Sequence, residues 1–527
     1  MIKRILLGTL SLLLVGACHA EDITIKYNGS KATVKQSVKD SVQVTVDGAS
    51  VDIISQFKAH KLTLRLTGKS DDGRLNLKTA GKAKIKLDGL TLTSQEGAPI
   101  CLKNKKKVEI VACKETKNRL TITACEDTAN HKAAVIWAKD KLLLSGKGEL
   151  NIVATGDGCR GIKTKDDITI EELTLNVMTS GDNLGEKPFG FGGGGFPGMP
   201  EGGFQMPEGG FPNFGGFPGM PNDSTRQGGF PNFGGFPMGG GFPGMPNDST
   251  RQGGFPNFGG FPMGGFPMGG GFPDFGSRTE NDSIEGGFGG GFAGKHKYVA
   301  STKGIASKGK ITINSGNIVV KTQTAGAEGI EGKEGIIFNG GKVRVDSPDD
   351  AINANACIEF NGSEVIAHST GNDAIDSNPK SGFFMPFGSN EQSDEPAIVI
   401  RGGTVYAWSE VGSPEEGIDC DFAALIIEGG TVFSVGGGMG EMPSVPTNET
   451  AKQPTFLLIG LNVAKDEPIS IYDADGKLIA KVTIPFAMRR SASLVTAPAL
   501  KQGATYTVKT KGYEKTFTLN EPFTAVR

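Results

Sequence analysis

The chain has 527 residues, with 55 Lys and Arg against 57 Asp and Glu, a net charge of −2, and five His. That balance gives no electrostatic basis for nucleic acid as a partner, and no Cys/His spacing suits zinc. Helical 3.6-residue spacing is absent over any useful length, so the prediction is an all-β chain.

Residues 1–20 read as a signal peptide: Lys3-Arg4, an apolar stretch from Ile5 to Val15, then small residues. Val15-Gly16-Ala17-Cys18 fits a lipobox, making Cys18 a lipidated N-terminus; cleavage after Ala20 is the alternative. Glu21-Asp22, so close to Cys18, resembles the acidic signal that sends lipoproteins to the cell surface in one Gram-negative phylum. Either route predicts an exported protein, held at the outer membrane and cell surface by a lipid or secreted. No later apolar run is long enough to span a bilayer.

Residues 21–184 are expected to form a β-rich N-terminal cap and the first solenoid rungs. Ile162, Ile168-Thr169-Ile170 and Leu173-Thr174-Leu175 make one such rung. Residues 185–294 are different material, a Gly/Phe/Pro/Met-rich insertion. Phe217 to Gln227 recurs unchanged at Phe242 to Gln252, and the Gly and Pro density predicts a disordered excursion. As a Gly-rich coil it would span roughly 50–60 Å. Asp223-Ser224-Thr225, Asp248-Ser249-Thr250 and Asp282-Ser283-Ile284 resemble O-glycosylation sites of the same phylum, which makes Ser224, Ser249 and Ser283 candidate glycan carriers.

Residues 295–440 carry the strongest signal. An acid, a small residue, isoleucine and a polar residue recur as Glu328-Gly329-Ile330-Glu331, Asp350-Ala351-Ile352-Asn353, Asp373-Ala374-Ile375-Asp376 and Glu416-Gly417-Ile418-Asp419. The isoleucines are 22, 23 and 43 residues apart, the last gap holding one rung plus an insertion, roughly Ser381 to Pro396, with Phe383-Phe384-Met385-Pro386-Phe387. Each phrase is followed by two more short β-branched runs bounded by turn residues, as in Ile336-Ile337-Phe338 and Val343-Arg344-Val345. Three strands per rung at this period predict a right-handed parallel β-helix, in which neighbours stack to share one core. Cys357 and Cys420 are expected to be core thiols. Residues 441–527 form a C-terminal β segment with a hairpin turn at Tyr472 to Lys477.

If each rung isoleucine points inward, the next residue points outward. Glu331, Asn353, Asp376 and Asp419 then line one outer face, with Glu328, Asp349, Asp350, Asp373 and Glu416 at the preceding bend. Rungs stack about 4.8 Å apart, where two carboxylates repel by roughly 3–4 kcal/mol at an effective dielectric near 20. Oxygen-only ligands favour calcium as the cofactor. The plainer expectation is a solvated acidic edge. A paired-carboxylate hydrolase through Asp349-Asp350 is conceivable, and a lyase would need a base such as Arg344 or Arg401, whose strands are expected to face elsewhere. Trp137, Tyr406 and Trp408 are expected to be partial core rather than sugar platforms.

The chain resembles the bacterial carbohydrate-binding parallel β-helix proteins whose fold is related to pectate lyases. The residues that carry this are Leu62-Thr63-Leu64, Lys84 to Leu92, Ala98-Pro99-Ile100, Asp157 to Lys163, the four phrases, Ser493 to Leu500 and Gly503-Ala504-Thr505-Tyr506. The resemblance implies calcium on an acidic ladder and binding of plant-type or acidic polysaccharide without a need for catalysis. Lys163 and Ala306 stand where later rungs have acids, which confines any metal groove to Glu328 through Asp419. Asp349-Asp350 also resembles the paired aspartates of polygalacturonase-type hydrolases, but their Gly-His-Gly and Arg-Ile-Lys signatures are missing. The expected function is an exported, surface-attached, non-catalytic carbohydrate-binding protein. The alternatives are a calcium-dependent lyase on acidic polysaccharide and a structural adhesin acting through the Phe/Gly-rich loop.

Overall fold

A computed structural model describes residues 21–38, 40–125, 132–186, 298–379, 396–420, 423–437 and 444–527. The described residues form strands and turns with no α-helix, and the strands stack as a parallel β-helix. Cys18, residues 185–294 apart from the first two, Ser224, Ser249, Ser283 and the Phe383–Phe387 loop lie outside the described residues.

Each rung contributes one strand to each of three columns. The first column is an eleven-stranded sheet running from the hairpin Val42–Asp47 and Ser50–Ser55 to Ile418–Asp419. The other two are joined into one sheet near the N-terminus, because Leu62–Ser70 and Ala83–Ser94 are long enough to run along both before the rungs divide. The N-terminal end is closed by antiparallel hairpins: Ile23–Asn28 pairs Lys31–Gln36 on one side and Leu62–Ser70 on the other. Lys31, Thr33 and Lys35 face solvent on that outer strand, a charged edge that discourages pairing with another chain. At the other end, Met488–Thr496 turns antiparallel against Thr431–Gly436 and stops the parallel stack. A four-stranded antiparallel sheet, which includes the Tyr472–Lys477 turn, packs Ile469, Ile471 and Val508 into a cluster with Trp408 and Phe433 of the last rungs.

The rungs flanking the insertion are direct neighbours. Ile162 pairs with Ile305, Ile168 with Ile311 and Leu175 with Ile318. The chain leaves at Leu184–Glu186 and returns at Tyr298–Ala300, two strands paired antiparallel. Continuous pairing across a 143-residue separation explains why so long an insertion is tolerated: among the described residues the rungs on either side stack directly on each other.

The small residue of each phrase is set by core volume. A Cβ on Gly161, Gly304 or Gly329 would run into a Cγ1 of Val177, Val320 or Val345, sixteen residues later. The next rung carries Ala351, and by register the residue beneath Val345 is Ala367. The rung after has Ala374 with Ala407. In these rungs Gly goes with Val and Ala goes with Ala, so the summed volume is held, and in the last phrase Gly417 goes with Ser434. Gly329→Ala is expected to cost about 1–3 kcal/mol by overpacking, and Val345→Ala on top of it should recover only the part due to the Val345 methyl, since the added Cβ would also lie 2.5 Å from the Ala351 carbonyl oxygen. Equilibrium urea unfolding of the two single variants and the double variant checks this. Additive losses would mean the two positions do not share the space.

Candidate functional site

The acidic ladder is in register. Glu331 pairs with Asn353, Asn353 with Asp376 and Asp376 with Asp419. The same column continues upward through Ala306, Lys163, Trp137 and Cys101. It is not the solvated edge that stands as the alternative to a calcium-lined groove. Glu331, Asp350 and Asp376 are each 2 % exposed and Asp373 and Glu416 each 6 %. Their charges therefore sit in a poor dielectric and need partners.

Two kinds of partner divide the column. In the upper rungs the partners are ammonium groups. Lys303 Nζ, itself 3 % exposed as a side chain, lies 2.6 Å from Glu331 Oε1 and 3.2 Å from Glu328 Oε2, and Lys333 Nζ lies 2.6 Å from Glu331 Oε1. Glu328 and Glu331, named as metal ligands from sequence, thus face lysines that stand where a cation would. Burial would raise the Glu331 carboxyl, but Lys303 and Lys333 outweigh it and hold it well below the usual range. Burial pushes Glu328 up to about 7, Lys303 opposing and Glu331 and Asp349 assisting.

In the lower rungs the acids converge on one another. Asp350, Asp373 and Asp376 bring one carboxylate oxygen each within 4.8 Å of one another. Asn353 Nδ2 donates to Asp350 Oδ2 at 2.7 Å and to Asp376 Oδ2 at 3.1 Å, and Asn378 Nδ2 donates to Asp376 Oδ2 at 2.7 Å. The Glu416 amide donates to Asp373 Oδ1. Burial first, then the charges of Asp419 and Asp350, push the Asp373 carboxyl well above its ordinary range. Glu416 and Asp419 turn to Ser444, whose amide donates to Glu416 Oε2 at 2.7 Å and whose hydroxyl donates to Asp419 Oδ1 at 3.1 Å. Asp349 accepts from Asn372 Nδ2 at 2.7 Å and stands outside the convergent group. Of the nine ligands named from sequence, three converge, Asn353 bridges two of them, and Asp419 stands one rung below Asp376. This donor set, oxygen-rich with no His or thiolate, fits calcium.

Lys303, Lys333, Asn378 and Ser444 were not foreseen. Lys303 had a signal: Lys303-Gly304-Ile305-Ala306 is the same phrase with a base in the acid's place, as is Arg160-Gly161-Ile162-Lys163. Arg344 and Arg401 do face elsewhere, paired with Asp346 and with Glu359. Trp137 and Trp408 are buried and Tyr406 half-buried. Cys420 is a core thiol, whereas Cys357 is only half-buried, beside the Gly335 turn. Glu21 and Asp22, read from sequence as a sorting signal, are held by the fold. Glu21 accepts from Arg65 and Lys86 at 2.9 Å each, and Asp22 accepts from the Thr63 amide at 2.8 Å.

The metal-free cluster should make stability depend on pH. A carboxyl whose folded value is raised stabilises the fold below its unfolded value, and that contribution is lost as pH rises through the folded value. For Glu328 the window runs from 4.5 to about 7. Metal-free protein is expected to lose stability across it, and Asp373 acts in the same direction. His368, raised by Asp346 and Glu410 against the effect of burial, also runs the same way, so Glu328→Gln separates the contributions. Thermal midpoints from pH 4.5 to 8 in EDTA should fall less steeply in that variant, and identical slopes would refute the assignment.

A family model described as "Carbohydrate-binding domain-containing protein" matches residues 47–188, 279–374 and 323–456, together more than half of the chain. A solved structure titled "Structure of the polysaccharide lyase-like protein from C. thermocellum, Gadolinium derivative" is 15% identical. The match covers 66% of this chain and 90% of that one, with a TM-score of 0.37. No curated protein matches the chain.

Proposed function

Because the chain belongs to the family of carbohydrate-binding domain-containing proteins, we propose that it captures polysaccharide without catalysis, through calcium held at Asp350, Asp373 and Asp376. The observation that carries this is the convergence of three buried carboxylates with their oxygens within 4.8 Å. Calcium, when bound, would offset two of their three negative charges and offer coordination positions to sugar hydroxyls or uronate carboxylates. Asn353 and Asn378 hold the Asp376 oxygen in place by donating to it, which orients the cluster before any ion arrives. Asp419, one rung below, is the next acid along the column. Burial and the neighbouring carboxylates raise the Asp373 carboxyl, and a cation takes its ionised form, so affinity should rise with pH.

A lyase would need a strong base at this cluster. Arg344 and Arg401 are engaged by carboxylates elsewhere, which supports capture without catalysis. The ligand class in this reading is plant-type or acidic glycan. Export under residues 1–20, a lipid at Cys18 holding the protein at the outer membrane, and O-glycans at Ser224, Ser249 and Ser283 complete the proposal. Retention of the mature protein on a polygalacturonate matrix tests it. Retention in calcium that is lost in EDTA supports the reading, and equal behaviour in both refutes it.

A further inference from the structure

Where the first column turns toward the second, one register position holds a lysine in six consecutive rungs. Lys78 pairs with Lys103, and the strands below pair Leu102 with Ala138, Ala138 with Thr164, Thr164 with Ser307 and Ser307 with Gly332. The residues that follow Ala138, Thr164, Ser307 and Gly332 are Lys139, Lys165, Lys308 and Lys333. Their amides donate to the carbonyls of Leu102, Ala138, Thr164 and Ser307, which keeps the row in step. At about 4.8 Å per rung the row runs roughly 24 Å down the solenoid. Lys78, Lys103, Lys139 and Lys308 are exposed, and Lys165 and Lys333 are half-buried.

Such a row works against the fold, because like charges on neighbouring strands repel. Elsewhere the solenoid matches signs across rungs: Lys84 meets Glu109 at 3.0 Å, Lys141 meets Asp167 at 2.7 Å and Lys342 meets Glu364 at 2.8 Å. No ion pair holds Lys78, Lys103, Lys139 or Lys165 among the described residues. The chain as a whole carries a charge of −2, so the row is a segregation of charge and not a general basicity. Unmatched positive charge kept in register points to an anionic partner.

The shape of the row and its upper end identify that partner. The parallel sheet sets the lysines along one straight line, and their long flexible stems let the ammonium groups meet a plane of charge. In register above Lys78 stands Ile54, 37 % exposed, one of four large apolar side chains so exposed among the described residues. The hairpin that carries it closes the N-terminal end of the first column. An apolar tip beside a run of ammonium groups matches the boundary between acyl chain and headgroup, and a dissolved polyanion has no use for an exposed isoleucine. We propose that this lysine row rests on an anionic lipid surface, its ammonium groups against headgroup phosphates, so that the solenoid lies along the membrane. This contact goes beyond glycan capture and needs neither calcium nor a lipid at Cys18.

Sedimentation of the unlipidated mature chain with vesicles, in EDTA throughout, tests this. Binding to phosphatidylcholine vesicles that contain phosphatidylglycerol, and not to phosphatidylcholine alone, is the expected result. It should weaken between about 0.1 M and about 1 M salt, as the screening length shrinks from about 10 to about 3 Å. Each lysine near the surface is worth about fivefold in affinity. Lys103→Gln, Lys139→Gln and Lys165→Gln together should therefore weaken binding roughly a hundredfold. Lys103→Gln alone, at about fivefold, serves should the triple variant fail to fold. Lys481→Gln, Lys501→Gln and Lys515→Gln, exposed on the C-terminal segment, remove the same charge elsewhere and should leave binding unchanged. Equal binding to both vesicles, binding to neither, or equal loss in the two triple variants overturns the proposal. So does binding of soluble polyphosphate through the same lysines without vesicle binding, which would make the partner a dissolved polyanion. Because EDTA is present throughout, the outcome is independent of the calcium cluster.

Discussion

Calcium is expected to raise the thermal midpoint of the mature protein, and Asp373→Asn or Asp376→Asn to abolish that rise. The three converging carboxylates are buried, and burial together with the charges of Asp419 and Asp350 raises the Asp373 carboxyl well above its ordinary range. An ion that binds only the folded state at a hundred times its dissociation constant stabilises by about 2.7 kcal/mol. In EDTA at pH 8 the order should reverse. Each Asp→Asn change removes one of the charges that repel across the rungs, so the variants should be at least as stable as the unaltered protein. Calorimetric titration and thermal unfolding, with and without calcium, measure both halves. A calcium shift that persists in both variants would place the ion elsewhere; no shift in the unaltered protein would leave the cluster as a proton-sharing structural group.

Lys303→Met should be the most damaging single change in the upper rungs. Lys303 is 3 % exposed as a side chain and so is Glu331, whose carboxylate it meets at 2.6 Å. Removing one member of a buried pair leaves the other charge uncompensated, at a cost of about 3–5 kcal/mol. Lys333 touches the same oxygen but is 23 % exposed, so water screens its loss and Lys333→Met should cost less. Adding Glu331→Gln to Lys303→Met should recover part of the stability, since the buried carboxylate is gone, while Glu328 and the more exposed Lys333 each still lack one partner. Urea unfolding of these variants gives the comparison. A loss below about 1 kcal/mol for Lys303→Met, the value typical of exposed pairs, would mean that Glu331 is stabilised by something other than that ammonium.

The fold was legible because a solenoid repeats its own constraint. Each isoleucine of the phrase must reach the same inner line, so Ile305, Ile330, Ile352 and Ile375 recur at nearly fixed spacing and all are fully buried. The outward direction of Glu331, Asn353, Asp376 and Asp419 follows from strand alternation alone, and the pairing register agrees. The role of each acid was not legible, because it depends on groups outside its own rung. Glu331 looks like Asp376 in the phrase, yet Lys303 comes from the rung above and Lys333 from just beyond the strand end. Asn378 stands two residues after Asp376, as Lys333 does after Glu331, but the residue type changes between rungs, and Ser444 follows its phrase at a distance that carries no periodic signal.

Sequence by itself determined the period, the parallel stacking, the inward and outward faces and the position of the long insertion. These are local or repeating properties, written in alternation and turn chemistry at every rung. Only the tertiary structure decided which carboxylates are buried, which of them face an ammonium and which face one another. Burial is a property of the whole surface, and charge pairing depends on distances of a few ångströms between side chains from different rungs. The same acidic phrase can therefore serve as half of an ion pair at Glu331 and as part of a converging oxygen cluster at Asp376.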